Sequence, residues 1–124
     1  MNVVDSSGWL EYFADGKNAD FFSAAIEDTE NLIVPAISLY EVFKRVTQQT
    51  DESQGLQAIA LMQQGKCVDL NPALAIYAAK LSMQHKLPMA DSIILATAYT
   101  FQATLWTQDK DFEGIPGVNY LHKN

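Results

Sequence analysis

The feature that most constrains this chain is a repeated change of hydrophobic period, in which short apolar runs of strand type are separated by stretches with helical spacing. Asn2-Val3-Val4 is the first run, and Asp5-Ser6-Ser7-Gly8 after it suits a turn and a helix cap. Trp9, Leu10 and Phe13, then Phe21, Phe22, Ala25 and Ile26, mark two helices interrupted at Asp15-Gly16-Lys17-Asn18. Asn31-Leu32-Ile33-Val34 is a second strand closed by Pro35, and Leu39, Val42, Phe43 and Val46 follow at i, i+3, i+4 and i+7. A helix from Asp51-Glu52-Ser53 to Met62, with Gly65 as its C-terminal cap, leads to a third strand at Cys67–Leu70. Leu74, Tyr77, Ala78 and Leu81 form a helix begun by Asn71-Pro72. Met89–Phe101 is apolar almost all round, as a helix packed on several sides would be. Ala103–Trp106 is a fourth strand, 107–112 a turn and Val118–Leu121 a fifth strand at an edge. Strands alternating with helices in this order predict an α/β fold, a three-layer α/β/α sandwich with a mostly parallel central sheet, built as one domain over residues 1–122.

The 124 residues are 48% hydrophobic, enough for one core, and no apolar stretch approaches the roughly 20 residues that a membrane span requires. Asp5 interrupts the N-terminal apolar run too early for a signal peptide, so the expected location is the cytoplasm, with no membrane partner. A lone cysteine, Cys67, reads as an inert thiol in a buried strand. Fifteen acids against eight bases give a net charge of −7, which argues against a broad basic face for nucleic acid.

In an open parallel sheet the residues just beyond the strand ends converge on one rim. Asp5 follows the first strand and Asp109 the fourth, Glu41 lies one to two turns into the helix after the second strand, and Asp91 starts the helix that precedes the fourth. Carboxylates gathered without bases repel one another, and a bound cation removes the conflict. Oxygen ligands without paired cysteines or spaced histidines favour Mg²⁺ or Mn²⁺ and suit phosphoryl chemistry. Singly, each acid has an ordinary reading. Ser38-Leu39-Tyr40-Glu41 fits a capping box, Asp91 favours the positive end of its helix, Asp5 can cap, and Asp109 and Asp111 suit a turn. The joint pattern is what points to a site.

Four segments then carry a resemblance that spans essentially the whole chain. Val3-Val4-Asp5-Ser6-Ser7, Pro35-Ala36-Ile37-Ser38-Leu39-Tyr40-Glu41-Val42, Ala90-Asp91-Ser92-Ile93-Ile94-Leu95-Ala96-Thr97-Ala98 and Leu105-Trp106-Thr107-Gln108-Asp109-Lys110-Asp111-Phe112 resemble, in order and spacing, the motifs of PIN-domain ribonucleases, in particular VapC-type toxins. The resemblance implies Mg²⁺- or Mn²⁺-dependent endonucleolytic cleavage of RNA, a homodimer, and neutralisation by a small antitoxin. It assigns Asp5, Glu41, Asp91 and Asp109 to the acidic quartet, with Asp109 preferred to Asp111 as the fourth metal carboxylate and one or two metals both open. Ser6 or Ser7 and Thr107 would support the carboxylates or simply cap, while Lys44 and Arg45, the only adjacent basic pair, would either touch substrate or form a solvated helix face; Ser6, Ser7, Thr107, Lys44 and Arg45 complete the candidate site. His85 and His122 read as surface or edge residues rather than general bases. Two other readings remain: a PIN-like partner-docking dimer without catalysis, which should have lost some of the acids, and a phosphatase with an aspartyl nucleophile, which usually wants Asp at position 7, where this chain has Ser.

Overall fold

Neighbouring residues of the apolar runs are sent to different layers, because side chains alternate across a strand. The computed structural model describes residues 1–123. Its strands are Asn2–Val4 (β1), Leu32–Pro35 (β2), Lys66–Val68 (β3), Thr104–Thr107 (β4) and Val118–Tyr120 (β5). They form one sheet in the order β3-β2-β1-β4-β5, and every pairing is parallel. The N-terminal strand thus lies at the centre, with Val3 opposite Ile33 on one side and Leu105 on the other.

Val3, Ile33 and Leu105 face a layer made by helices Pro72–His85 (α5) and Met89–Thr100 (α6). Val4, Leu32, Val34 and Trp106 face the opposite layer, made by Ser6–Phe13 (α1), Ala19–Ile26 (α2), Ala36–Gln49 (α3) and Glu52–Met62 (α4). The central strands β1 and β2 are covered on both faces, as the middle of a parallel sheet requires. Ser92 to Ala98 are all buried in α6, which touches β1, β2 and β4, so the all-round apolar pattern marks a helix enclosed by its neighbours. Local signals set the helix starts: Asp51 accepts from the Gln54 amide at α4, and Asn71 from the Leu74 amide at α5 with Pro72 in the first turn. Among the described residues no helix is long and apolar enough to cross a membrane.

Two expectations fail on the β3 side. Cys67 is exposed, not buried, because β3 is an edge strand paired only with β2 and it ends at Val68 rather than Leu70. Gly65 does not cap α4, which stops at Met62. A Cβ at Gly65 would lie 3.0 Å from the Leu32 carbonyl oxygen and from the Leu32 and Val34 side chains, so glycine lets the chain enter β3 close against β2.

Gly8 has a comparable role nearer the site. In the first turn of α1 alanine would be the better helix former, yet a Cβ there would meet the Phe22 ring at 2.6 Å and Val4 Cγ1 at 2.7 Å. Both neighbours are core side chains with 0% exposure, so the clash outweighs the gain. Gly8→Ala is expected to lose about 1–3 kcal/mol of stability, measured by urea unfolding; an unchanged or raised midpoint would show that α1 can move away from the sheet.

Candidate metal centre

Strand order reverses at β1, since the chain leaves it towards β2 and returns to its other side as β4. The turns after β1 and β4 therefore diverge and leave a crevice between them at the carboxyl ends of the strands. Asp5 ends β1 and caps α1, and its amide donates to the Trp106 carbonyl at 3.1 Å. Its carboxylate is 2% exposed. Oδ1 accepts from the Gly8 amide at 2.9 Å, Oδ2 accepts from Thr107 Oγ1 at 2.7 Å, and Ser7 Oγ lies 2.9 Å from both oxygens. Thr107, fully buried, also accepts from the Asp109 amide at 2.9 Å, so one hydroxyl ties the first acidic segment to the last.

One carboxylate oxygen from each of Asp91, Asp109 and Asp111 lies within 4.8 Å of the other two. Asp91 is half-buried in the first turn of α6; Asp109 and Asp111 come from the 3₁₀ turn Lys110–Phe112 and its cap, where Asp109 Oδ1 accepts from the Asp111 amide at 2.9 Å. Both acids of the last motif thus stand beside Asp91. Glu41 approaches from α3, and its Oε1 accepts from Ser6 Oγ at 2.6 Å. The capping box does not form: α3 starts at Ala36, two residues before Ser38, and the buried Ser38 hydroxyl has no partner among the described residues. Lys44 and Arg45 are exposed on α3, where Lys44 Nζ sits 5.7 Å from the centre of the Tyr40 ring. His85 is half-buried at the end of α5 and His122 is exposed.

Asn18 and Gln108 are the residues that sequence reasoning overlooked. Asn18 Nδ2 donates to Gln108 Oε1 at 2.9 Å and to the His122 carbonyl at 3.3 Å, and Gln108 is buried. Gln108 had one available signal, its place between Thr107 and Asp109. Asn18 had none, because its partners lie about 90 and 104 positions away.

The acids load one another electrostatically. Burial, reinforced by Asp109, Asp5, Asp111 and Glu41, pushes the Asp91 carboxyl up to about 7. Burial pushes Asp5 up to about 6, against the opposing hydrogen bonds of Thr107, Gly8 and Ser7 and with a small push from Asp109. Such a group gains from a divalent cation, which offsets the repulsion that the hydrogen bonds leave in place.

The same shifts set a pH dependence. In the unfolded chain both carboxyls ionise near the ordinary 3.8, whereas without a cation the native chain keeps their protons to about 6 and about 7. Between these limits the native state binds more protons, so stability falls as pH rises from about 4 to about 7 and levels off above. Calorimetry without divalent ions should show the melting temperature dropping over that interval, with Mn²⁺ restoring it at pH 7.5 and doing little at pH 5. Asp91→Asn should melt higher than the native chain at pH 7.5 and respond weakly to Mn²⁺. A melting temperature independent of both pH and Mn²⁺ would contradict the electrostatic account.

Known proteins place the fold and the chain. Residues 3–118 match the family model described as PIN domain. A toxin–antitoxin complex from Klebsiella pneumoniae contains a chain that superposes with a TM-score of 0.81 at 24% identity, covering 96% of this chain and 96% of that one. A sarcin–ricin loop cleaving VapC toxin from Mycobacterium tuberculosis superposes at 0.78 with 14% identity, covering 94% and 95%. A VapBC complex from Rickettsia felis bound to a DNA fragment from their promoter gives 0.74 with 14% identity, covering 98% and 97%. No curated protein matches the sequence. With the family model covering residues 3–118 of the 124, this chain belongs to the PIN-domain family.

Proposed function

We propose that this chain is a metal-dependent endoribonuclease and the toxin component of a type II toxin–antitoxin pair. The observation that carries the reading is the meeting of Asp91, Asp109 and Asp111 within 4.8 Å, beside the buried Asp5, on a PIN-domain chain. An all-oxygen donor set fits a hard divalent ion, Mg²⁺ or Mn²⁺. Asp91, Asp109 and Asp111 would hold it, joined by Asp5: Ser7 has one proton to give, so one Asp5 oxygen keeps a single donor, Gly8 or Thr107, and a spare lone pair for the cation. When bound, the ion supplies Lewis acidity that favours deprotonation of water and neutralises charge on the scissile phosphate.

The protein's own groups do the rest by position. Gly8, Ser7 and Thr107 hold Asp5, and Ser6 holds Glu41 through Oε1, which leaves Oε2 as the atom that would hold the attacking water and take its proton. Lys44 and Arg45 would meet substrate phosphate further along α3. RNA as substrate draws support from the neighbour described as cleaving the sarcin–ricin loop, and the toxin role from the neighbour solved as a toxin–antitoxin complex. On this reading the chain forms a homodimer, acts in the cytoplasm and is silenced by a small antitoxin.

The test is cleavage of single-stranded RNA with Mg²⁺, with Mn²⁺ and with EDTA. Asp91→Asn and Asp109→Asn should each lower the rate by roughly 10²–10³-fold, EDTA should abolish it, and Asp111→Asn, at the exposed member of the three, should cost less. Cleavage that persists in EDTA or in Asp91→Asn would defeat the proposal. A dimer that binds Mn²⁺ but cuts nothing would favour the docking reading instead.

A further inference from the structure

The acids themselves repel an RNA backbone, so substrate must gain hold elsewhere on a chain with a net charge of −7. The grooves between α1, α3 and α4 and between α5 and α6 are lined by no lysine or arginine. A cleft of about 350 Å³ next to the acids differs. Lys110 and Lys123, two of the eight Lys and Arg residues, line it with His122 and Tyr120, and Ser7 and Asp109 form its side towards the acidic cluster. Asp109 therefore belongs both to the cluster and to the cleft wall, and the two are continuous.

The basic segment after β5 is held against the site. Leu121 N donates to the Thr107 carbonyl at 3.0 Å, one residue beyond the end of the strand. Asn18 Nδ2 fastens the His122 carbonyl and the buried Gln108 side chain together, and the Tyr120 hydroxyl lies 3.4 Å from His122 Nδ1. These hydrogen bonds hold Tyr120, Leu121 and His122 beside Thr107, the residue that orients Asp5; Lys123 follows this segment and Lys110 begins the 3₁₀ turn after Asp109.

We propose that this cleft is a single-stranded RNA subsite for the nucleotide next to the scissile bond, with its phosphate on Lys110 and Lys123 and its base on the Tyr120 ring. The proposal rests on the ribonuclease reading and adds to it a second place, besides Lys44 and Arg45, where substrate is gripped. Lysines supply the charge that the acidic rim lacks, and a half-buried aromatic ring offers a stacking surface that suits any base. Neither the lysines nor the ring touch the reacting atoms, so both act on substrate capture.

Steady-state cleavage of a single-stranded RNA with Mn²⁺, by the full chain and three variants, tests the subsite. The double variant Lys110→Ala/Lys123→Ala should raise KM roughly tenfold with little change in kcat, and should flatten the dependence of log KM on log salt by about 0.7 for each phosphate no longer neutralised. Tyr120→Ala should raise KM by roughly tenfold, and Tyr120→Phe, which keeps the ring, should restore it. Unchanged KM and salt slope in the double variant, with the native chain still cutting RNA, overturn the subsite and leave the ribonuclease standing. A defect confined to kcat overturns it as well. A native chain that cuts no RNA overturns both readings.

Discussion

A buried carboxylate at the end of the central strand is the constraint around which the rest is arranged. Asp5 lies where solvent cannot reach it, and its charge is tolerable only because hydroxyl and amide donors close on both oxygens. Those donors fix more than the aspartate. The Gly8 amide starts α1, and the Thr107 hydroxyl binds the end of β4 to the end of β1 while receiving the Asp109 amide. One short hydrogen-bond chain thus joins the helix cap, the crevice between strands and the acidic turn. A hydroxyl suits the middle of such a chain because it donates and accepts at once; valine at position 107, similar in shape, would leave Asp5 short of a donor and the Asp109 amide short of an acceptor.

The ordinary and the functional explanations of the acids turn out to be compatible. Asp5 caps a helix and Asp109 caps a 3₁₀ turn, as their local sequences suggest, and both still lie close enough to Asp91 to raise its carboxyl. Capping positions the carboxylates, and the fold decides that several capping sites coincide. Glu41 is the exception: its local pattern proposes a partner three residues away, while its actual partner, Ser6, lies 35 positions away on another helix.

Much of the architecture was legible because strand and helix periods differ so plainly here. Val3 and Val4, or Leu32 and Ile33, separate the two layers by alternation alone, and the near-continuous apolar surface of α6 announces its central place. The exposure of Cys67 was not legible, since a three-residue strand reads the same in the middle of a sheet and at its margin, and pairing partners decide which it is. The glycine at position 65 looked like a helix terminator because the residue type that relaxes backbone torsion also permits close approach of two chains. Whether one or both acids of the last motif join Asp91 depends on the geometry of a single turn, which spacing does not encode. The Asn18 network was invisible for the same reason that long-range polar contacts usually are: neither partner has a periodic signature.

The pairing of β1 with β4 places residues 2–4 against residues 104–106, almost the full length of the chain apart. During synthesis the first strand therefore waits for nearly the last before its second neighbour exists, and the segment bearing Asp109 and Asp111 joins those bearing Asp5, Glu41 and Asp91 only when that late strand docks. Long-range parallel pairing of this kind is slow to form because loop closure must come first. The acidic centre is therefore among the last features of the molecule to assemble, because it needs both the residues up to Asp111 and the pairing of β4 with β1.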